Sequence, residues 1–202
     1  MKNSILTLFS VAAMVACKKN EATVSDHSAD SSTVSATNDS MTHIADSTMS
    51  NKTNAASSLN DQDKKFADAA ARGGMMEVMM GQLATSNATN AGVKSLGEMM
   101  VKDHGKANDE LKKWASTAGY TLPNSLDAEQ KKKYDDLKTK KGAEFDRMYT
   151  DLMVSDHQKD IAEFKKETSD GAETSLKSFA SKTLPTLEHH LMASEKAKAE
   201  VK

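Results

Sequence analysis

The chain has 202 residues, a net charge of −2 and a pI near 6.3, so nothing steers it strongly toward nucleic acid or an anionic lipid surface. Aromatic residues make up only 4 %, methionine occurs 13 times and proline twice, a mix that favours helix over sheet. The single cysteine, Cys17, excludes an internal disulfide and any metal site built from cysteines.

Residues 1–17 read as a targeting segment. Lys2 supplies a positive start, and Ile5 to Ala16 form an apolar run too short for a stable membrane span. The run ends in Met14-Val15-Ala16-Cys17, which resembles a bacterial lipobox, with Met14 where leucine is usual. That resemblance implies cleavage before Cys17 and a lipid on its sulfur. Acyl chains then anchor the protein to a membrane without spanning it. The alternative is an ordinary secretory signal that happens to end near a cysteine. Lys18 and Lys19 stand where an inner-membrane lipoprotein would carry aspartate, so the resemblance points to the outer membrane, with the folded part in the periplasm or at the cell surface.

Residues 18–60 are Ser, Thr, Asn, Asp and Ala almost throughout, with isolated apolar residues and no periodicity. Such a segment buries too little to fold and is expected to be a disordered linker with a reach on the order of 35–40 Å. His27 and His43 lie in it and read as solvated side chains.

Residues 61–202 are expected to fold as an all-α, antiparallel four-helix bundle made of two helical hairpins. The first helix spans about Asp61–Ser86, with Phe66, Ala69, Ala70, Gly73, Met76, Met80 and Ala84 on one face and Asp61 or Asp63 as its cap. A short Ser/Asn turn leads into a second helix, Ala91–Ala118, with Val93, Leu96, Met100, Ala107, Leu111 and Trp114 as its stripe and Gly119 as its C-terminal stop. Pro123 breaks the chain. A polar, lysine-rich stretch from Ser125 to Lys141 then reads as a connecting helix, either separate from the next helix or continuous with it. The third bundle helix spans about Gly142–Thr168, and Ser169-Asp170-Gly171 marks a turn. The fourth starts near Ala172, and Pro185 within it is expected to kink it or shift its start. Short turns within each pair and a longer connection between the pairs imply two stacked hairpins.

One phrase, M-V-x-D-H-x-K, occurs at Met100–Lys106 and again at Met153–Lys159. At 100° per residue, Glu77, His104, Asp156 and His190 fall on the inner arcs of the four helices, with His157 at the edge of its arc and His189 outside. An unpaired buried charge is very costly, so these groups are expected to satisfy one another or an ion. With neutral imidazoles, Glu77 and Asp156 leave a charge of −2. One divalent transition metal (Zn, Fe, Mn or Cu) would balance it, held by Glu77, His104, Asp156, His157 and His190. The competing reading is a structural network in which charged histidines neutralise the two acids. Asp103, Asp146 and Tyr149 are candidates for a supporting shell that orients the ligands. Met75, Met76, Met79, Met80, Met99 and Met100 raise a further option, since thioethers bind Cu(I), against their ordinary use as core filler.

Several phrases together resemble a bacterial family, domain-of-unknown-function family 4142. They are Gly73-Gly74-Met75-Met76-Glu77-Val78, Met100-Val101-Lys102-Asp103-His104, Phe145-Asp146-Arg147-Met148-Tyr149, Met153-Val154-Ser155-Asp156-His157 and Leu184-Pro185-Thr186-Leu187-Glu188-His189-His190-Leu191. The resemblance runs from about Asp61 to Ala197. It implies a ferritin-like bundle, export and an outer-membrane location, and brings no established activity. Ferritin-like di-iron proteins carry two Glu-x-x-His motifs, and this sequence contains none. No Gly-x-Ser-x-Gly, phosphate loop or dinucleotide fingerprint occurs either, so no catalytic residue is assigned. Two functions follow as expectations. One is a lipid-anchored envelope protein whose bundle binds a transition metal, for storage or stress protection. The other is a non-catalytic envelope module that spaces or docks, with protein partners unknown.

Overall fold

The computed structural model describes residues 59–202. The expected signal segment with Cys17, and all but the last two residues of the expected linker, lie outside the described residues. Five helices follow in order, α1 (Asp61–Asn87), α2 (Ala91–Ala118), α3 (Ala128–Lys138), α4 (Gly142–Asp170) and α5 (Thr174–Glu200). Four long helices form the bundle, and no strand occurs among the described residues. No helix among them is long and apolar enough to cross a membrane.

Helix α1 pairs with α2 and α4 with α5, while α1 also packs on α4 and α2 on α5. Each of these neighbours is antiparallel. Phe66 near the start of α1 meets Phe164 near the end of α4, and Trp114 near the end of α2 bonds to Glu173 at the start of α5. The α2–α4 connection therefore runs the full length of the bundle. Helix α3 lies within it, against the α1 and α4 flank. It is a separate element, because the chain breaks at Thr139–Lys141 and Gly142 takes a positive φ of 60°.

The helix ends follow local chemistry. The cap of α1 is Asn60, not Asp61 or Asp63. Asn60 accepts from the Asp63 amide, and the Asp63 carboxylate accepts from the Asn60 amide. Gly119 ends α2 in the left-handed region at φ 68°, which a residue with a Cβ adopts reluctantly. Helix α5 begins two residues later than expected, capped by Glu173, and runs on through Pro185. Pro185 and Ser181 are both exposed, so the carbonyl that proline leaves unserved faces water and the helix is not ended there. Helices α1 and α2 approach closely at Gly81 and Gly97. A Cβ on Gly97 would sit 2.6 Å from the Ala84 Cβ and 2.8 Å from the Gly81 carbonyl.

Two buried aspartates join the hairpins end to end. Near the start of α4, Asp146 accepts from the amides of Thr89 and Asn90 and from the Thr89 hydroxyl, and so fixes the α1–α2 turn. At the other end, Asp63 of α1 accepts from the amides of Ala172 and Glu173 and fixes the α4–α5 turn. Burial works to raise the Asp63 carboxyl, but these amide bonds outweigh it and hold the pKa below the ordinary value.

Glu167 is fully buried in that same end of the bundle. Burial first, and then the adjacent Asp63, push its carboxyl up to about 7. The folded state thus binds a proton more tightly than the unfolded chain does. This contribution is fully present below the ordinary value of 4.5 and is lost as pH rises through about 7. Glu167→Gln is expected to raise the melting temperature at pH 8 and to flatten its dependence between pH 4.5 and 7, as followed by thermal unfolding monitored by circular dichroism. A variant with the wild-type pH profile would refute the assignment.

Candidate metal centre

The apolar core is divided in two. One cluster is built around Met80, Met100, Phe145, Tyr149 and Met153, the other around Phe66, Leu111, Phe164, Leu176 and Leu187. Between them lies a polar layer formed by Glu77 of α1, His104 of α2, His157 of α4 and His190 of α5, all buried. Each sits near the middle of its helix and in its buried stripe. The repeated phrase explains two of them. Met100 and His104, and likewise Met153 and His157, are four residues apart and so face inward together.

The outer nitrogens of two histidines are committed. Nδ1 of His157 lies 2.9 Å from the Met153 carbonyl, which can only accept, so Nδ1 carries the hydrogen. Nε2 of His190 lies 3.1 Å from Oδ2 of Asp103, so that nitrogen carries its hydrogen too. The remaining nitrogens, Nε2 of His157 and Nδ1 of His190, face each other at 3.3 Å. In the neutral state both present lone pairs, an arrangement that repels unless a proton or a metal ion lies between them. A tetrahedral site with metal–nitrogen bonds near 2.0–2.1 Å sets its ligand nitrogens roughly 3.3 Å apart. His104 supplies the third imidazole, and its Nε2 is buried with no hydrogen-bond partner. One nitrogen from each of the three rings lies within 4.8 Å of the others, so the triad could hold a metal ion.

Glu77 stands beside this triad, 1 % exposed. Its oxygens lie 3.0 Å from Nδ1 of His104 and 3.3 Å from Nδ1 of His157, yet neither is aligned for a hydrogen bond. Burial alone would raise its carboxyl, but the positive charge available on His104 and His157 holds it down to about 2. Burial opposes the charged form of His104 as well, and Glu77 reverses the sign and raises its pKa. His190 goes the other way. Burial, reinforced by the neighbouring histidines, lowers it to about 4 against the pull of Asp103.

The other predicted residues fall in different places. Asp156 is buried, but on the flank of α4 under α3, where its Oδ1 pairs with Lys133 at 3.2 Å. Within the phrase Asp156-His157, it is the histidine that reaches the bundle axis. Asp103, the equivalent aspartate of the first phrase, is also on a flank, but α5 brings His190 to it. Asp146 is at the turn it caps, away from the triad. Tyr149 stacks on Phe145 with its hydroxyl buried and without a partner, and burial together with the Glu77 charge raises its pKa. His189 is exposed. Met76, Met80 and Met100 are packed in the apolar core, as filler rather than as an open thioether site. Asp160 was not singled out in the sequence. It lies beside Glu77 and shares two cavities with it, and burial, Glu77 and Asp156 push its carboxyl well above the ordinary value. Its one signal was position, a turn beyond Asp156 on the same side of the helix.

A solved structure with the same fold is the crystal structure of a DUF305 fragment from Deinococcus radiodurans, with a TM-score of 0.62 and 13 % identity. The match covers 70 % of this chain and 98 % of that one. At that identity the likeness concerns the fold alone. No curated protein matches the chain. The family model described as "Domain of unknown function (DUF4142)" matches residues 48–197, most of the chain and all of the polar layer, and the chain belongs to that family.

Proposed function

We propose that this protein is a lipid-anchored envelope protein whose bundle binds one transition metal through His104, His157 and His190. The observation that carries the reading is the pair of imidazole nitrogens facing each other at 3.3 Å with both opposite nitrogens already committed, and with a ring nitrogen of His104 within 4.8 Å of a nitrogen of each ring. Three neutral imidazoles suit zinc, copper or iron better than manganese, which favours carboxylate oxygen. Glu77 and Asp103 supply two negative charges that balance a divalent ion, Asp103 also orienting His190. Three protein ligands leave a fourth position open. The role is metal holding or protection in the envelope. The lipobox at Cys17 supports the anchor, and the absent retention aspartate supports the outer membrane.

A second reading has one observation in its favour. Glu77 and His104 shift each other's pKa toward an ion pair, so the layer can neutralise itself with protons. The bundle would then be a structural spacer on its lipid tether. Elemental analysis of the purified protein, prepared without a histidine tag, separates the two. The metal reading expects close to one equivalent, lost in His104→Ala and His190→Ala. Substoichiometric metal that neither change affects would leave the spacer.

A further inference from the structure

A cleft of about 650 Å³ opens between α1, α3 and α4. Its lining includes seven acidic and four basic side chains, so it favours a cation over an anion. Three of its carboxylates, Asp156, Glu77 and Glu163, have at least one oxygen short of a partner. Asp156 is 6 % exposed, and its Oδ2 has no hydrogen bond. Glu77 is 1 % exposed, and neither of its oxygens has one. Lys133 of α3 reaches in from the roof of the cleft and pairs with Oδ1 of Asp156 at 3.2 Å and with Glu129 at 3.4 Å, in the place a bound cation would take.

The cleft does not end at Glu77. A second cavity of about 20 Å³, large enough for one water, adjoins it and is lined by His104. Gly73, Glu77 and Asp160 line both cavities. Gly73 keeps the passage open, since a Cβ placed there would find its nearest neighbour, the Asp160 carboxylate, only at 3.8 Å.

We propose that this cleft is the loading port of the histidine centre, in which Asp156, Asp160 and Glu77 take a divalent cation from solvent and pass it inward past Gly73 to His104. The proposal rests on the reading of the three histidines as a metal site. Lys133 holds the port's charge in the cation's absence and withdraws toward Glu129 when a cation arrives. Asp156 and Asp160 are therefore not ligands of the final site. They set how fast it fills.

Stopped-flow uptake of Co(II) by the full chain tests this, because the visible absorption of Co(II) changes when imidazole replaces water. Asp160→Asn and Gly73→Val are each expected to slow uptake about tenfold, one by removing a carboxylate that can exchange its proton for the cation and the other by narrowing the passage, with the final Co(II) stoichiometry unchanged. Lys133→Met is expected to speed it. Wild-type rates in Asp160→Asn and Gly73→Val, with full stoichiometry, overturn the port and leave the centre standing. If Gly73→Val melts early, Asp160→Asn decides alone. A wild-type protein that takes up no Co(II) removes the centre, and the port with it.

Discussion

Saturating zinc is expected to raise the melting temperature of the wild-type protein by about 10 °C and to leave His157→Ala unmoved. A ligand present at a thousand times its dissociation constant adds about 4 kcal/mol to the folded state. For a bundle of this size each kcal/mol corresponds to roughly 2–4 °C. His157 is the informative position because it is fully buried and stands between Glu77 and His190. Its loss takes away one ligand and the group that faces a second. Thermal scans with zinc and with a chelator, on both proteins, provide the check. An equal upward shift in His157→Ala would mean that zinc acts at surface carboxylates instead.

The second large effect concerns the fold alone. Asp146→Ala is expected to cost about 3 kcal/mol or more, because a hydrogen bond from a neutral donor to a carboxylate contributes about 1.5–3 kcal/mol and the donors are stranded when the carboxylate goes. Asp146 is 2 % exposed and accepts from the Thr89 amide at 3.1 Å, the Thr89 hydroxyl at 2.6 Å and the Asn90 amide at 2.9 Å. Urea unfolding should show a lower midpoint with an unchanged slope. The loss should be the same with zinc and with a chelator, since Asp146 is at a turn rather than in the polar layer. A loss that appears only in the presence of metal would place Asp146 with the histidines after all.

The bundle was legible because its signals are local and repeated. Phe66, Met76, Met80 and Ala84 on α1, or Val93, Leu96, Met100 and Leu111 on α2, mark a buried face at helical spacing, and each is buried. Gly119 stopped its helix where expected, while the cap of α1 moved by one residue because Asn60 and Asp63 bond reciprocally. The polar layer was legible for the same reason. Glu77, His104 and His190 lie in those stripes and meet.

Asp156 shows where arcs of four helices fail. They assume that burial means the bundle axis, but α3 covers one flank of α4 and gives that helix a second buried side. Asp156 occupies this side and pairs with Lys133 of α3, while His157, at the edge of the assumed arc, turns to the axis. The role of Asp146 was hidden for a related reason. Its partners, Thr89 and Asn90, belong to a turn more than fifty residues away in sequence. Nothing in the helical period reports a contact that only the stacking of two hairpins creates.

X-ray absorption of the zinc-loaded protein measures the centre itself. The expected result is a first shell containing three imidazole nitrogens at about 2.0–2.1 Å, with their characteristic outer-ring scattering. The imidazole scattering is expected to weaken when His104, His157 or His190 is replaced. A shell of oxygen ligands alone, or one that survives all three replacements, would contradict a three-histidine centre.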